Sequence, residues 1–160
     1  MDEKRLRIYM QDHLAGATAG EALAQRTREN NQGTTYGDAL GRLADEISAD
    51  KRELEQIMDA FGFGPDRAKN LAFLVGAKAG GLKPNGQLRG YSPLSRVTEM
   101  EGLIAGISGK LSLWRALAEL APEEPRLDAE RLERLMNRGE EQRRTVEELR
   151  TRAVRAAFLS

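Results

Sequence analysis

The sequence predicts an all-α protein, a four-helix bundle with one additional short helix, and three observations carry that expectation. Alanine, leucine, arginine and glutamate dominate the 160 residues, while aromatics make up only 5%, a balance that favours helix over strand. Apolar residues recur at three- and four-residue spacing through four long stretches. Between the second and third of these, Asp66 to Leu94 reads as a very apolar segment followed by a polar, glycine-bearing loop. Two helical hairpins joined by a short crossover helix use all three observations.

The first helix is expected over about 3–27. Leu6, Met10, His13, Ala17, Gly20, Glu21 and Ala24 fall within one arc of it. Residues 15 to 20 read Ala-Gly-Ala-Thr-Ala-Gly, and each glycine costs about 1 kcal/mol of helix propensity relative to alanine. Close approach of a neighbouring helix is the structural reason to accept that cost; space for a ligand is the functional one. Thr34 or Thr35 is placed to cap a second helix over about 35–61, which stops at Gly62. Its stripe is Leu40, Leu43, Ala44 and Ile47, then Leu54, Ile57, Met58 and Phe61, with Asp50 and Lys51 in the skipped turn.

The crossover helix is expected over 66–80. Asn70 to Ala77 is apolar on nearly every side, which in a water-soluble chain means a helix surrounded by protein. Its continuous apolar length of about 10 residues falls short of the ~20 that span a bilayer. Gly76 and Gly80 give it a smooth face, and Pro84-Asn85-Gly86 is a turn. Ser92-Pro93 opens a helix over about 92–121, whose stripe runs Val97, Met100, Ile104, Ile107, Leu111, Trp114, Ala118 and Ala121, widened by Leu94, Leu103 and Leu117. Pro122 and Pro125 end it. Asp128 caps a last helix over about 128–157, striped by Leu132, Leu135, Met136, Gly139, Val146, Leu149 and Ala153.

Composition excludes several classes. The 25 basic and 25 acidic residues balance, so no charge footprint favours nucleic acid or an anionic membrane. With no cysteine there is no disulfide, thiolate ligand or cysteine nucleophile. The start Met1-Asp2-Glu3-Lys4-Arg5 lacks the apolar core of a secretory signal, so a cytoplasmic protein of one domain, residues 1–160, is expected. No Gly-x-Ser-x-Gly, phosphate-loop or zinc spacing occurs.

The second and last helices carry the same pattern displaced by 92 residues. Leu40 matches Leu132, Leu43 matches Leu135, Leu54 matches Val146, Ile57 matches Leu149, and Asp50-Lys51 corresponds to Gln142-Arg143. This layout of two antiparallel pairs resembles the ferritin-like bundles, over most of the chain but by topology alone. The stretches Asp12 to Gly16 and Gly90 to Arg96 also resemble those of bacterial helical proteins with no attached activity. The ferritin-like resemblance implies a carboxylate metal site with Glu-x-x-His on two helices. That motif fails, because His13 is the one histidine, Glu46 is followed three residues on by Ala49, and Arg138 by Glu141.

Two functional classes follow. The first is a non-enzymatic bundle without a cofactor that acts by self-association or partner binding, as a homo-oligomer touching neither nucleic acid nor membrane. The second is a degenerate ferritin-like protein holding iron or manganese on His13, Glu21, Glu46, Asp50 and Glu101. Against it, Gln142 and Arg143 occupy the matching turn of the last helix, where a cation repels metal. His13 and Asp50 are expected to meet inside the bundle as a register-fixing pair. Glu99 and Glu101 are read as solvated or salt-bridged, and the mixed charges of the last helix as an exposed face. Lys83, Arg89 and Arg96, near a helix N-terminus, could hold an anion.

Overall fold

The structure, a computed structural model, describes residues 1–64 and 91–159. Among these it holds four long helices and no strand: α1 (Glu3–Asn30), α2 (Gly37–Ala60), α3 (Pro93–Leu120) and α4 (Ala129–Phe158), with one 3-10 turn over Ala121–Glu123. The expected helix over 66–80 and the turn at residues 84–86 lie outside the described residues.

The helix ends follow local chemistry. Asp2, Ser92 and Asp128 each accept a hydrogen bond from the backbone N–H three residues on, and Pro93 sits in the first turn behind Ser92. The α2 start differs from expectation. Tyr36 is its cap residue and makes no side-chain bond there, while Thr34 Oγ1 accepts from the Tyr36 N–H at 3.2 Å, bracing the turn instead. At the far end Gly62 has φ +70°, and the Phe63 and Gly62 N–H groups bond to the Met58 and Asp59 carbonyls at 2.9 Å each. This is a Schellman ending, and glycine adopts its left-handed turn without a Cβ penalty.

Each helix packs against two others. α1 lies beside α2 and α3, and α4 lies beside α3 and α2. The cross-links set the levels. Arg28 pairs with Asp45 and Lys51 with Glu21 between α1 and α2, while Arg26 reaches Glu99 between α1 and α3. Arg131 reaches Glu53 at one level of the α2–α4 contact and Arg152 reaches Thr35 at another. Neighbouring helices therefore run antiparallel.

The core is in two parts, and a polar layer divides them. One apolar cluster gathers Met10, Leu14, Leu54, Met58, Phe63, Trp114, Leu117 and Leu132. The other gathers Leu40, Leu43, Ala44, Met100, Leu103, Leu111 and Val146. Burying each leucine contributes about 2 kcal/mol. The turn that interrupts the α2 stripe falls between the clusters. α3 and α4 meet closely at Gly139, where a Cβ would stand 2.7 Å from Leu111 Cδ2. A second polar cluster closes one end of the core and a third the other, where Arg126 bonds Glu124 and Glu3 and lies 4.1 Å over the Phe61 ring.

Candidate functional site

Asp50 is the centre of the dividing layer. It is 2% exposed, as is Gln142 across from it on α4. Its Oδ2 accepts from Lys110 Nζ on α3 and from Gln142 Nε2 at 3.0 Å, and its Oδ1 accepts from Arg138 Nε at 2.8 Å and from Arg138 Nη2. Lys110 also donates to Gln142 Oε1, and Gln142 Nε2 to Glu46 Oε2 at 3.1 Å. A carboxylate removed from water is stabilised only when its lone pairs are met, and both oxygens here are met by cations and an amide. The 92-residue displacement explains why Asp50 faces Gln142. Equivalent turns of two antiparallel helices come together where the two hairpins meet.

Lys110 was legible only by its spacing, seven residues from both Leu103 and Leu117, which sets it on the apolar face of α3. Its ammonium is buried enough that desolvation pulls its pKa below the ordinary 10.5, the nearby Asp50 carboxylate opposing the shift.

Above this layer, between α1 and α3, lies a cavity of about 310 Å³. Its α1 wall includes His13, Gly16, Ala17 and Gly20, and its α3 wall Gly102, Gly106 and Gly109; Asp50, Lys110 and Trp114 also border it. A Cβ built on Gly16, Gly20, Gly106 or Gly109 meets no atom within 4 Å among the described residues, whereas at Gly102 it stands 2.9 Å from Leu23 Cδ2. The glycines at 16 and 20 thus leave room, where tight packing against the described helices was the structural expectation. Trp114 Nε1 is buried without a hydrogen-bond partner among the described residues, a costly state for a donor.

Of the expected metal residues, the structure brings Glu46 and Asp50 into one layer and pairs Glu21 and Glu101 elsewhere. Glu21 is bonded by Lys51 at 2.7 Å; burial alone would raise its carboxyl, but that bond and charge bring it below the ordinary value. Glu101 is exposed and 3.8 Å from Arg150. Glu46 and Asp50 belong to the ionic layer. Among the described residues no three histidine, aspartate or glutamate side chains gather as a metal would require.

The His13–Asp50 pair is a correction. Glu21, not His13, lies opposite Lys51, so α1 is shifted by about two turns from the register that a tight connection would set. His13 borders the same cavity but stacks edge-on against Tyr9, with ring centroids 4.6 Å apart, and burial lowers its pKa. Asp50 bonds instead to cations, whose interaction with a buried carboxylate exceeds that of a neutral imidazole.

Of the expected anion site, Lys83 and Arg89 lie outside the described residues. Arg96 donates to Asn31 Oδ1 at 2.6 Å and lies 4.6 Å over the Tyr36 ring and 5.3 Å over Tyr91. Glu99, read as solvated or salt-bridged, is buried and salt-bridged to Arg26. It accepts from Arg26 at 3.0 Å, Asn30 at 3.2 Å and the Tyr91 hydroxyl at 2.8 Å. Burial, aided by the Glu99 charge, pushes the Tyr91 phenol far above its ordinary value.

The chain matches no protein-family model, no curated protein and no solved structure. What the fold and site define is an all-helical protein with a neutralised ionic layer at its centre. Among the described residues no helix is long and apolar enough to cross a membrane.

Proposed function

We propose that the chain is a non-enzymatic, ferritin-like four-helix bundle that works by association, its groove between α1 and α3 being a seat for an apolar helix. The observation that supports this is the pair of glycine walls. Four helical glycines stand where a methyl group would meet nothing among the described residues, at a propensity cost of about 1 kcal/mol each. Space for another helix accounts for that cost. The central carboxylate, bonded to two cations and an amide, has no free oxygen for substrate or metal, and its role in this reading is to fix helix register.

The connection between α2 and α3 is, in this proposal, a crossover along the bundle. A seat of this kind accepts a helix from the same chain or, by exchange of an identical element, from a second copy, which is a low-cost route to a homo-oligomer. Absence of cysteine suits a reducing compartment such as the cytoplasm.

Thiol labelling tests the seat. In Gly106→Cys the new thiol lies in the groove, and in Glu141→Cys on the charged outer face of α4. A filled seat makes the first react at least about tenfold more slowly in the native protein, as a local opening costing some 1.4 kcal/mol would. Equal rates would mean that the groove stands empty, and the reading would fail.

A further inference from the structure

We propose that the outer face of α4 pairs antiparallel with the same face of a second copy of this chain, through a stripe of alternating charge; the pairing does not depend on the groove being filled. Glu130, Arg134, Glu141, Arg144, Glu148 and Arg155 recur along α4 at intervals of three, four and seven residues, and all six are exposed. Asn137 and Thr151, also exposed, stand within the two seven-residue intervals. Such spacing sets all eight along one line of the helix, on the side away from the buried Leu135, Gln142 and Val146.

The order of the charges selects the partner and its direction. Laid against itself about a twofold axis between residues 142 and 143, the stripe sets Glu141 beside Arg144 of the second copy and Glu130 beside its Arg155, each twice. Arg134 then meets Thr151, and Glu148 meets Asn137, so no like charges within the stripe face each other. Laid parallel in register, every charge in the stripe would face its own copy, which is repulsive at all six positions. A stripe of one sign would call for a partner of the other; this one is neutral and complementary to its own reverse.

Charges that flank the stripe are committed inside the chain. Glu140 accepts from Arg115 and Arg143, Glu147 accepts from Arg150, and Arg131 donates to Glu53. The one ion pair that links a stripe charge to another described residue is Arg134–Glu130, at 4.0 Å and with both side chains exposed. Exposed pairs are individually weak and are screened by salt. The pairing therefore depends on concentration and is favoured at low ionic strength.

Sedimentation velocity of the full chain reads it at about 10 mM and about 1 M salt, where the screening length is ~30 Å and ~3 Å. The expected result is a dimer at low salt whose dissociation constant rises at least about tenfold at high salt. Glu141→Arg sets like charges together twice, as does Arg144→Glu, and each alone should weaken the dimer at least about tenfold. An equimolar mixture of the two variants should pair again, because position 141 of one chain then faces the opposite charge at position 144 of the other. Both substitutions in one chain leave the net charge unchanged and should restore the homodimer. Circular dichroism checks that each variant keeps its helix content.

A parent that stays monomeric at low salt up to about 1 mM protein would overturn the proposal. So would a dimer that neither single substitution weakens, since another surface would then hold it. A loss in the single variants that neither the mixture nor the exchanged double variant recovers would do the same. The groove is tested separately by Gly106→Cys labelling, with Glu141→Cys read at high salt, where the pair is dispersed.

Discussion

Replacing Asp50 by alanine should be among the most damaging single changes to this protein. The carboxylate is 2% exposed, and the Lys110 side chain that it holds is 15% exposed. Without Asp50 the Lys110 ammonium keeps, among the described residues, one hydrogen bond, to the Gln142 side-chain oxygen, inside a layer bounded by leucines above and below. Arg138, at 34% exposed, can turn toward water and contributes less. Removing one partner of a buried pair costs about 3–5 kcal/mol, most of it the stranded charge. At roughly 2–4 °C per kcal/mol for a chain of this size, the melting temperature falls by about 6–20 °C. Asp50→Leu combined with Lys110→Met removes both charges, and the double variant should recover about 2 kcal/mol or more relative to the sum of the singles. Urea unfolding of the four proteins closes the cycle. Additivity within about 0.5 kcal/mol would show that the two side chains do not interact and would refute the ionic layer as drawn.

Other consequences are as direct. Hydrogen bonds from Arg126 hold the Glu124 carboxyl down to about 2, against an ordinary 4.5. A depressed carboxylate stabilises the fold above its unfolded pKa, so this contribution is present above 4.5 and is lost as pH falls toward 2; acid titration of stability in Glu124→Gln should lack that component. Lys110 shifts the opposite way for a base. Its folded pKa lies below 10.5, so the unfolded chain binds more protons as pH approaches that value, and stability should rise with pH there relative to Lys110→Met. Gly139→Ala drives a methyl group against Leu111 and should cost about 1–3 kcal/mol despite alanine's better helix propensity, as read by denaturant midpoint.

The helices were legible because their apolar spacing, caps and terminators agree. Ser92-Pro93, Asp128 and Gly62 mark boundaries by mechanisms that act within one turn, and those ends fall where expected. Thr34 failed as a helix cap because its hydroxyl serves the turn before Tyr36. The ionic layer was half legible. The interrupted stripe singled out Asp50, and the 92-residue displacement singled out Gln142, but partner identity depends on how four helices meet. The partners Lys110 and Arg138 lie 60 and 88 residues from Asp50 in sequence. His13 misled because the short connection between the first two helices suggested a tight hairpin, whereas the Lys51–Glu21 pair fixes a different register. Glu99 was read as solvated or salt-bridged because its charge flanks an apolar stripe; only the closing of α1 onto α3 decides for the buried ion pair and brings Arg26, Asn30 and Tyr91 around it. The glycine groove was legible as small residues on α1, but its meaning depends on the facing glycines of α3.

Those facing glycines are tested most directly by the unfolding free energy of Gly106→Leu. Among the described residues a Cβ at this position meets no atom within 4 Å, and leucine improves helix propensity by up to about 1 kcal/mol over glycine. An empty groove therefore predicts a variant more stable than the parent. A groove that seats an apolar helix has no room for the added side chain, and the account predicts a loss of about 1–3 kcal/mol. A gain in stability would contradict it.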